Sequence, residues 1–531
     1  MKTHRLAWAI VVPAVGIWVV PLLLLGVATA AQGQATTEAG VEVLTRGPIH
    51  EAFANMTVAE ATPGVVIRRS PPGPIEELPP DQKPEGGNVS WIPGYWNWDD
   101  DRDDFIWVSG VWRDLPPGRQ WVPGYWTPGQ GGYQFISGFW ADLAQKEVAY
   151  LPPPPEPLEA GPNSPAPGRS DVWAPGSWLW HEARYAWQPG YWVAEQPEWV
   201  WSPAHYVWTP RGYVYVPGYW DHDIVHRGVM FAPVYYEQPV YTRPSYYYSP
   251  SIIIDLGAIV TCLFAQPRYH HYYFGDYYDR RYEERGFYPW YSQQVTRYGY
   301  DPIYSNFRTQ QLRQDPDWDV HIDEQYRYRR EHLDARPPQT LALQINIINN
   351  QKDAAPRDFI IGKSLAEVVQ SKTLPLRLTP VNMDERKQIE TRGQEVRKFQ
   401  LERAKMETAP AAAGKSEKAA GNAQPVRMQL PVSPVAARST ENVTGAKTPP
   451  PMPVAPKPQA AEDRGRQVKP QKEEARPEAK SPKPEAPKPE VRSQKPEPKA
   501  QPPRSETKQQ RSKRKKAPST EDNKNKKSEQ R

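Results

Sequence analysis

The chain has 531 residues, of which 63 are proline, while only 38% are hydrophobic and Trp, Tyr and Phe alone supply 11%. Proline at about twice ordinary usage excludes a chain folded evenly along its length, and a single cysteine, Cys262, excludes an intramolecular disulfide or a zinc–cysteine cluster. The net charge of +5 hides a split: residues 411–531 hold 28 Lys and Arg against 14 Asp and Glu, leaving 38 against 47 elsewhere, an acidic body with a basic arm.

Residues 1–30 read as an export signal. Lys2 and Arg5 precede an apolar run from Leu6 to Val27, and Ala28-Thr29-Ala30 fits a small-residue cleavage site. The run is also long enough to span a bilayer, so an uncleaved anchor over 6–27 is the alternative. Either way the body is expected outside the cytoplasm. Residues 31–86 ("SPPGPIEELPPDQKPEGG" among them) are expected to form a Pro-rich, extended lead-in.

Residues 87–235 hold eight copies of one phrase. It reads "WIPGYW" at Trp91, "WVSGVW" at Trp107, "WVPGYW" at Trp121, "FISGFW" at Phe135, "WAPGSW" at Trp173, "WQPGYW" at Trp187, "WSPAHY" at Trp201 and "YVPGYW" at Tyr215. The steps predict two arrays of four, 91–140 and 173–220, around the spacer Leu151–Gly168. Rings two residues apart, as at Tyr185/Trp187, share one face of a strand. Pro-Gly suits the middle of a type II turn, with Gly accepting φ > 0. Pro93, Gly94, Gly110, Pro123, Gly124, Gly138, Pro175, Gly176, Pro189, Gly190, Pro217 and Gly218 are therefore the expected turn residues. A second reversal must fall between copies, as in "TPGQGG" or "TPRG". Because type II turns splay a tight hairpin, a bulge or corner is expected at Pro-Gly.

Residues 236–337 are Tyr-rich, with a buried strand or helix expected in "SIIIDLGAIVTCLF". Residues 338–407 read as a small mixed α/β segment. "LALQINI" alternates like a strand, Ser364 and Glu367 form a capping box, and "NMDERKQIETRGQEVRKFQLERAKM" is an exposed helix. Its weak seam Ile389, Val396, Phe399, Met406 is broken by Arg392 and Arg403. Residues 408–531, rich in Pro, Lys and Glu, are expected to be disordered. The fold class is thus mainly β: an antiparallel meander of short hairpin repeats, a mixed segment and a disordered tail.

The repeated phrase resembles the WXXGXW (YXWGXW) repeat proteins of bacterial envelopes. The match is best at Trp91–Trp96, Trp107–Trp112, Trp121–Trp126, Trp173–Trp178 and Trp187–Trp192. Phe135–Trp140 and Tyr215–Trp220 swap one ring, and Trp201–Tyr206 departs with Ala204 for Gly. The resemblance covers about a quarter of the chain and implies an exported or envelope location without catalytic residues.

Other chemistry is sparse. Asp99, Asp101 and Asp103 alternate as calcium ligands do, but Asp104 and Gly110 stand where that loop needs Gly and Glu. His222 and His226, beside Asp221 and Asp223, are the candidate metal ligands, with His270 and His271 near Asp276 and Asp279 a weaker pair. Cys262, in an apolar run, reads as core. No nucleophile elbow, P-loop or dinucleotide fingerprint occurs. The candidate binding surface is an aromatic row: Trp91, Trp96, Trp107, Trp112, Trp121, Trp126, Trp173, Trp178, Trp187, Trp192 and Trp220, with core packing as the competing role. The expected function is non-enzymatic and structural, scaffolding or adhesive, without cofactor, with envelope polysaccharide or envelope proteins as partners. The alternatives are a metal-dependent envelope hydrolase, and a basic tail that binds anionic polymer or nucleic acid. Nucleic acid is not expected as a partner of an exported chain, and a membrane only if the N-terminal segment is uncleaved.

Overall fold

The computed structural model describes residues 39–58, 61–64, 66–292, 301–350, 359–371, 374–409, 425–438 and 448–460. The expected signal or anchor lies outside them, as does most of the expected tail. The described part is mainly β, built from many short antiparallel strands in sheets of two to four. Among the described residues no helix is long and apolar enough to cross a membrane.

The repeats pair off, and each pair of copies is one long hairpin. In the first, Val89–Ile92 faces Val111–Asp114 and Tyr95–Asp99 faces Asp104–Val108 in one continuous register. The second joins Arg119–Val122 to Phe139–Asp142 and Tyr125–Gly129 to Gly132–Ile136. The third joins Asp171–Ala174 to Tyr191–Ala194 and Ser177–His181 to Arg184–Gln188. The fourth joins Trp199–Ser202 to Tyr219–His222 and His205–Thr209 to Gly212–Val216.

The chain therefore reverses between copies, as "TPGQGG" and "TPRG" suggested, and not within the phrase. Pro-Gly marks the expected corner, where the ladder stops for two residues on each strand and then resumes. The turn assignment at Pro93–Gly94 and its equivalents is corrected accordingly. None of the phrase glycines has a left-handed φ. Glycine is needed there because an aromatic ring lies across it, an indole at every position but Gly124, where it is Phe135. A Cβ at Gly94 would sit 2.8 Å from Trp107 Nε1, at Gly138 2.5 Å from Trp121, and at Gly190 2.2 Å from Trp173.

The register decides which rings meet. The opening ring of one copy packs on the closing ring of the other, once on each side of the corner. Trp91/Trp112, Trp121/Trp140, Trp173/Trp192 and Trp201/Trp220 lie on one side, with centroids 5.0–5.3 Å apart. Trp96/Trp107, Trp126/Phe135, Trp178/Trp187 and Tyr206/Tyr215 lie on the other, at 5.1–5.4 Å. Such pairs contribute about 1 kcal/mol each beyond the area they bury. Eight of them approach the net stability of a whole domain.

The segment expected to be an extended lead-in enters these sheets. Val41–Val43 pairs with Val234–Tyr236, Gly47–Pro48 with His271–Phe274, Val66–Ile67 with the second hairpin, and Gln82–Pro84 with Leu378–Pro380. The apolar run around Cys262 supplies strand Ile252–Ile254, the helical turn Leu256–Ile259 and strand Leu263–Gln266, all in the core that the Tyr-rich segment shares.

Three expectations are corrected. "LALQINI" is helix Leu341–Asn350, not a strand. Leu341 and Gln344 face inward while Leu343 and Ile345 are exposed, and Thr340 Oγ1 accepts the Leu343 N–H at the helix start. The exposed helix, Met383–Thr408, buries one face that includes Ile389, Val396 and Phe399. Arg403 continues that face rather than breaking it: it donates to Pro123 O, pairs with Glu407 and lies over the Tyr125 and Phe139 rings. Finally, residues 425–438 and 448–460 are ordered. Val426–Gln429 adds to Glu147–Tyr150, and Gln459–Ala460 adds to the edge of the third hairpin.

A buried ion-pair network ties two hairpins together. Asp221 of the fourth receives both oxygens' worth of bonds from Arg113 of the first, at 2.5 and 2.7 Å, and a third from Arg227 at 3.0 Å. Asp221→Ala leaves two arginines uncompensated and is expected to cost about 3–5 kcal/mol, read as a shift in the urea midpoint. The third hairpin reverses through exposed Glu182 and Ala183, at φ +50° and +61°. A side chain in that conformation costs about 1 kcal/mol, so Ala183→Gly should raise stability by about that amount in the same measurement.

Candidate functional site

The corners are where the sequence does something unusual. With the ladder interrupted, two N–H groups per corner lack a backbone partner, and a buried unpaired N–H costs about 1–3 kcal/mol. At the first corner one side chain receives both. Glu77 Oε2 accepts from Gly94 N at 2.7 Å, and its Oε1 accepts from Gly110 N at 2.9 Å and from Trp107 Nε1 at 2.8 Å. At the second corner Glu51 repeats the arrangement, Oε1 on Gly124 N at 2.9 Å and Oε2 on Gly138 N at 2.8 Å. At the third, Glu159 accepts from Gly190 N at 2.9 Å, with Trp187 Nε1 at 3.5 Å and Asn163 Nδ2 at 3.0 Å.

These acids come from outside the hairpins. Glu51 ends "GPIHE" and Glu77 ends "GPIEE", phrases alike at four of five positions; Glu159 ends the shorter "EPLE". Ile49 and Ile75 are wholly buried and anchor the first two. That repeat was a readable signal which the sequence analysis missed. The acids are also electrostatically distinctive. Burial pushes the Glu51 carboxyl up to about 7, against the pull of the Gly138 and Gly124 N–H groups and Arg403. Burial raises Glu77 too, opposed by the Trp107, Gly110 and Gly94 donors.

Extended, proline-rich segments run along the hairpins beside these acids. The closing indoles donate to their carbonyls: Trp96 to Gly73 O at 2.8 Å, Trp178 to Glu156 O at 3.0 Å, Trp192 to Ser164 O at 3.2 Å and Trp220 to Pro451 O at 3.1 Å. "LPVSPVA", 430–436, lies along the second hairpin, where Trp121 N donates to Val435 O and Ser433 Oγ to Trp121 O. The arrangement can hold an extended polypeptide by its backbone and read an acid on it. Pairing of this kind also covers strand edges that would otherwise be open.

The expected aromatic binding row is corrected in the same terms. Trp91, Trp96, Trp107, Trp112, Trp121, Trp173, Trp178, Trp187 and Trp220 are only 1–6% exposed, and Trp126 and Trp192 are half-buried. Their faces are spent largely on each other and on glycine, which leaves little stacking surface for a sugar. Outside the hairpin the indole N–H edges reach carbonyls, and some rings pack on further aromatics, Trp91 on Phe231, Trp96 on Tyr236 and Tyr241, and Trp126 on Phe105.

The acid and histidine candidates do not converge. Asp101 is bound by Arg46, Arg285 and the Tyr282 hydroxyl, and Asp99 by Arg46 and Arg102. His226 faces Asp223 at 2.6 Å and Glu198 at 3.4 Å, whereas His222 faces Asp114 at 3.6 Å and stacks on Trp199. His271 meets the Tyr95 hydroxyl and Tyr269 O, Asp276 meets Gln339, and Asp279 caps helix Arg280–Glu284. Among the described residues no three His, Cys, Asp or Glu side chains group as a metal site. His50 and His271 are buried, His205 and His270 half-buried, and desolvation lowers the pKa of all four. The cleft beside His270 and His271 has room for only about 60 Å³, enough for a few waters and too little for a typical ligand.

The model of the WXXGXW repeat, itself two copies long, matches residues 90–113, 121–141, 172–193 and 197–221. Each match is one of the four hairpins, so the paired copy is the structural unit. No curated protein and no solved structure matches the chain.

Glu51→Gln keeps the shape but turns an amide N–H towards one of the two glycine donors, for an expected cost of about 2 kcal/mol. The cost should depend on pH. The folded chain holds the Glu51 proton up to about 7, the unfolded chain only to 4.5. Wild type therefore has this contribution in full below pH 4.5 and loses it as pH rises towards 7. Urea unfolding of both proteins should show a larger difference at pH 5 than at pH 8.

Proposed function

We propose that the chain is a non-enzymatic structural protein of the cell envelope whose aromatic hairpins hold extended, proline-rich polypeptide segments, in a scaffolding or adhesive role. One observation carries the reading: every hairpin already binds such a segment of its own chain, through indole N–H groups, edge pairing or a glutamate received at the corner. A surface that recognises one extended chain by backbone carbonyls recognises others of like composition. Burial of the repeat rings favours protein over polysaccharide as the hairpins' partner. Export is supported by the charge and apolarity of residues 1–30.

A polysaccharide partner has a different best place. A cleft of about 730 Å³ beside helices Pro302–Gln314 and Trp318–Glu331 is lined by Tyr288, Tyr291, Tyr304, Arg308, Asp319 and Asp323. Rings and charged groups of this kind suit a sugar chain.

The full-length protein should be offered immobilised proline-rich peptides that carry Glu and, separately, isolated envelope polysaccharide. Retention on the peptides alone is the expected result. Retention on polysaccharide alone, lost in Tyr291→Ala with folding intact, would move the function to the tyrosine-lined cleft, and retention on neither would overturn both readings. Fractionation of cells should find the wild type exported and Leu23→Arg retained inside.

A further inference from the structure

The fourth corner differs from the other three. Its two corner residues are Ala204 and Gly218, and among the described residues no carboxylate reaches either N–H, although the register is the same and Gly218 lies under Trp201 as Gly94 lies under Trp107. Both residues are half-exposed. Arg119, only 5% exposed, donates through Nη2 to Gly218 O at 2.9 Å, and its Nη1 has no hydrogen-bond partner. Ala204 also lines a cleft of about 680 Å³ between the Pro154–Pro162 segment and the third and fourth hairpins. Asp301 lines the same cleft, 2% exposed, its Oδ1 bound to the Tyr272 hydroxyl and the Tyr304 N–H, its Oδ2 without a partner.

We propose that this corner is the docking site for a partner protein: an extended, proline-rich segment that carries a glutamate. The proposal rests on the function argued above and names its site and its recognition element. The three completed corners supply the template. A Pro-x-Glu or Pro-x-x-Glu segment lays its backbone along the hairpin and spends its carboxylate on the corner N–H groups, both of them at the first two corners and that of Gly190 at the third. At the fourth corner the Ala204 and Gly218 N–H groups receive the ligand's carboxylate, with the Arg119 cation behind them. Asp301 on the facing wall takes a backbone N–H of the same segment. Donors on one wall and an acceptor on the other match the alternating polarity of an extended backbone. The cleft is long enough for several residues, and the half-buried corner lets them enter.

The test uses full-length protein and an end-blocked peptide with the sequence of residues 73–80, GPIEELPP, carrying a photoreactive phenylalanine in place of its isoleucine. Its control replaces both glutamates with glutamine. The expected result is saturable binding, at least ten-fold weaker for the glutamine peptide, with cross-links inside residues 199–222. Ala204→Gly, which restores the residue type of the other corners, should bind as well or several-fold tighter. Arg119→Gln should bind at least ten-fold more weakly, with unfolding curves showing that it remains folded. Cross-links confined to other hairpins, or equal binding of the two peptides, would overturn the fourth-corner site while leaving the general reading in place. No binding of either peptide would overturn both.

Discussion

At each corner of these hairpins the strand ladder stops, and two N–H groups are left facing the same point. Everything else about the phrase follows from how that point is filled. A carboxylate has two oxygens at the spacing needed to meet two donors, and Glu51 and Glu77 use both. Where the corner residue is glycine, a Cβ would run into the opening ring of the facing copy, an indole everywhere but at Gly124, where the ring is Phe135. Glycine, indole and glutamate are thus one device. The glycine admits the ring, the ring walls off water, and in the dry space left behind the carboxylate bonds are stronger than they would be at the surface.

This device changes what kind of repeat protein the chain is. In stacked arrays each unit buries its face against the next, and neighbouring copies build a continuous core. Here adjacent copies close on each other as a hairpin, and what a hairpin needs next comes from elsewhere in the sequence. The first hairpin takes Glu77 and the strands Gly228–Met230 and Val234–Tyr236; the second takes Glu51, Val66–Ile67 and the 430–436 segment. The fourth takes Glu147–Leu151 and, beyond it, Val426–Gln429. Strands from distant parts of the chain therefore interleave with the repeats. Arg403 and Glu407 of the long helix seal the second corner from outside, beside Tyr125 and Tyr150.

How far this was legible depends on the residue. Period and alternation placed the strands, the rings on one face and the reversals between copies, because those depend on local spacing alone. The Pro-Gly step misled, since a turn needing φ > 0 and a close approach needing no Cβ both select glycine, and sequence does not separate them. For the aromatic row the sequence leaves surface and core both open, because a count of rings does not say which of them the facing copy covers. Glu51 and Glu77 were visible as "GPIHE" and "GPIEE", but nothing local says that an acid in a proline-rich stretch is buried. Composition likewise hid the order in 425–438 and 448–460, where main-chain pairing rather than apolar side chains does the holding.

The fourth hairpin shows that the parts of the device vary together. Where the first corner has Gly94 opposite Trp107, the fourth has Ala204 at the position facing Tyr215. The same substitutions remove the indole N–H that at the first and third corners points to the glutamate. The second corner lacks that donor too, with Phe135 in the ring position, yet Glu51 fills it; at the fourth corner no acid is found among the described residues. Its N–H groups sit half-exposed beside a buried arginine instead. Three corners use the arrangement to close the fold on itself. At the fourth, the same geometry has no acid of its own among the described residues, which leaves the joint for an outside chain to complete.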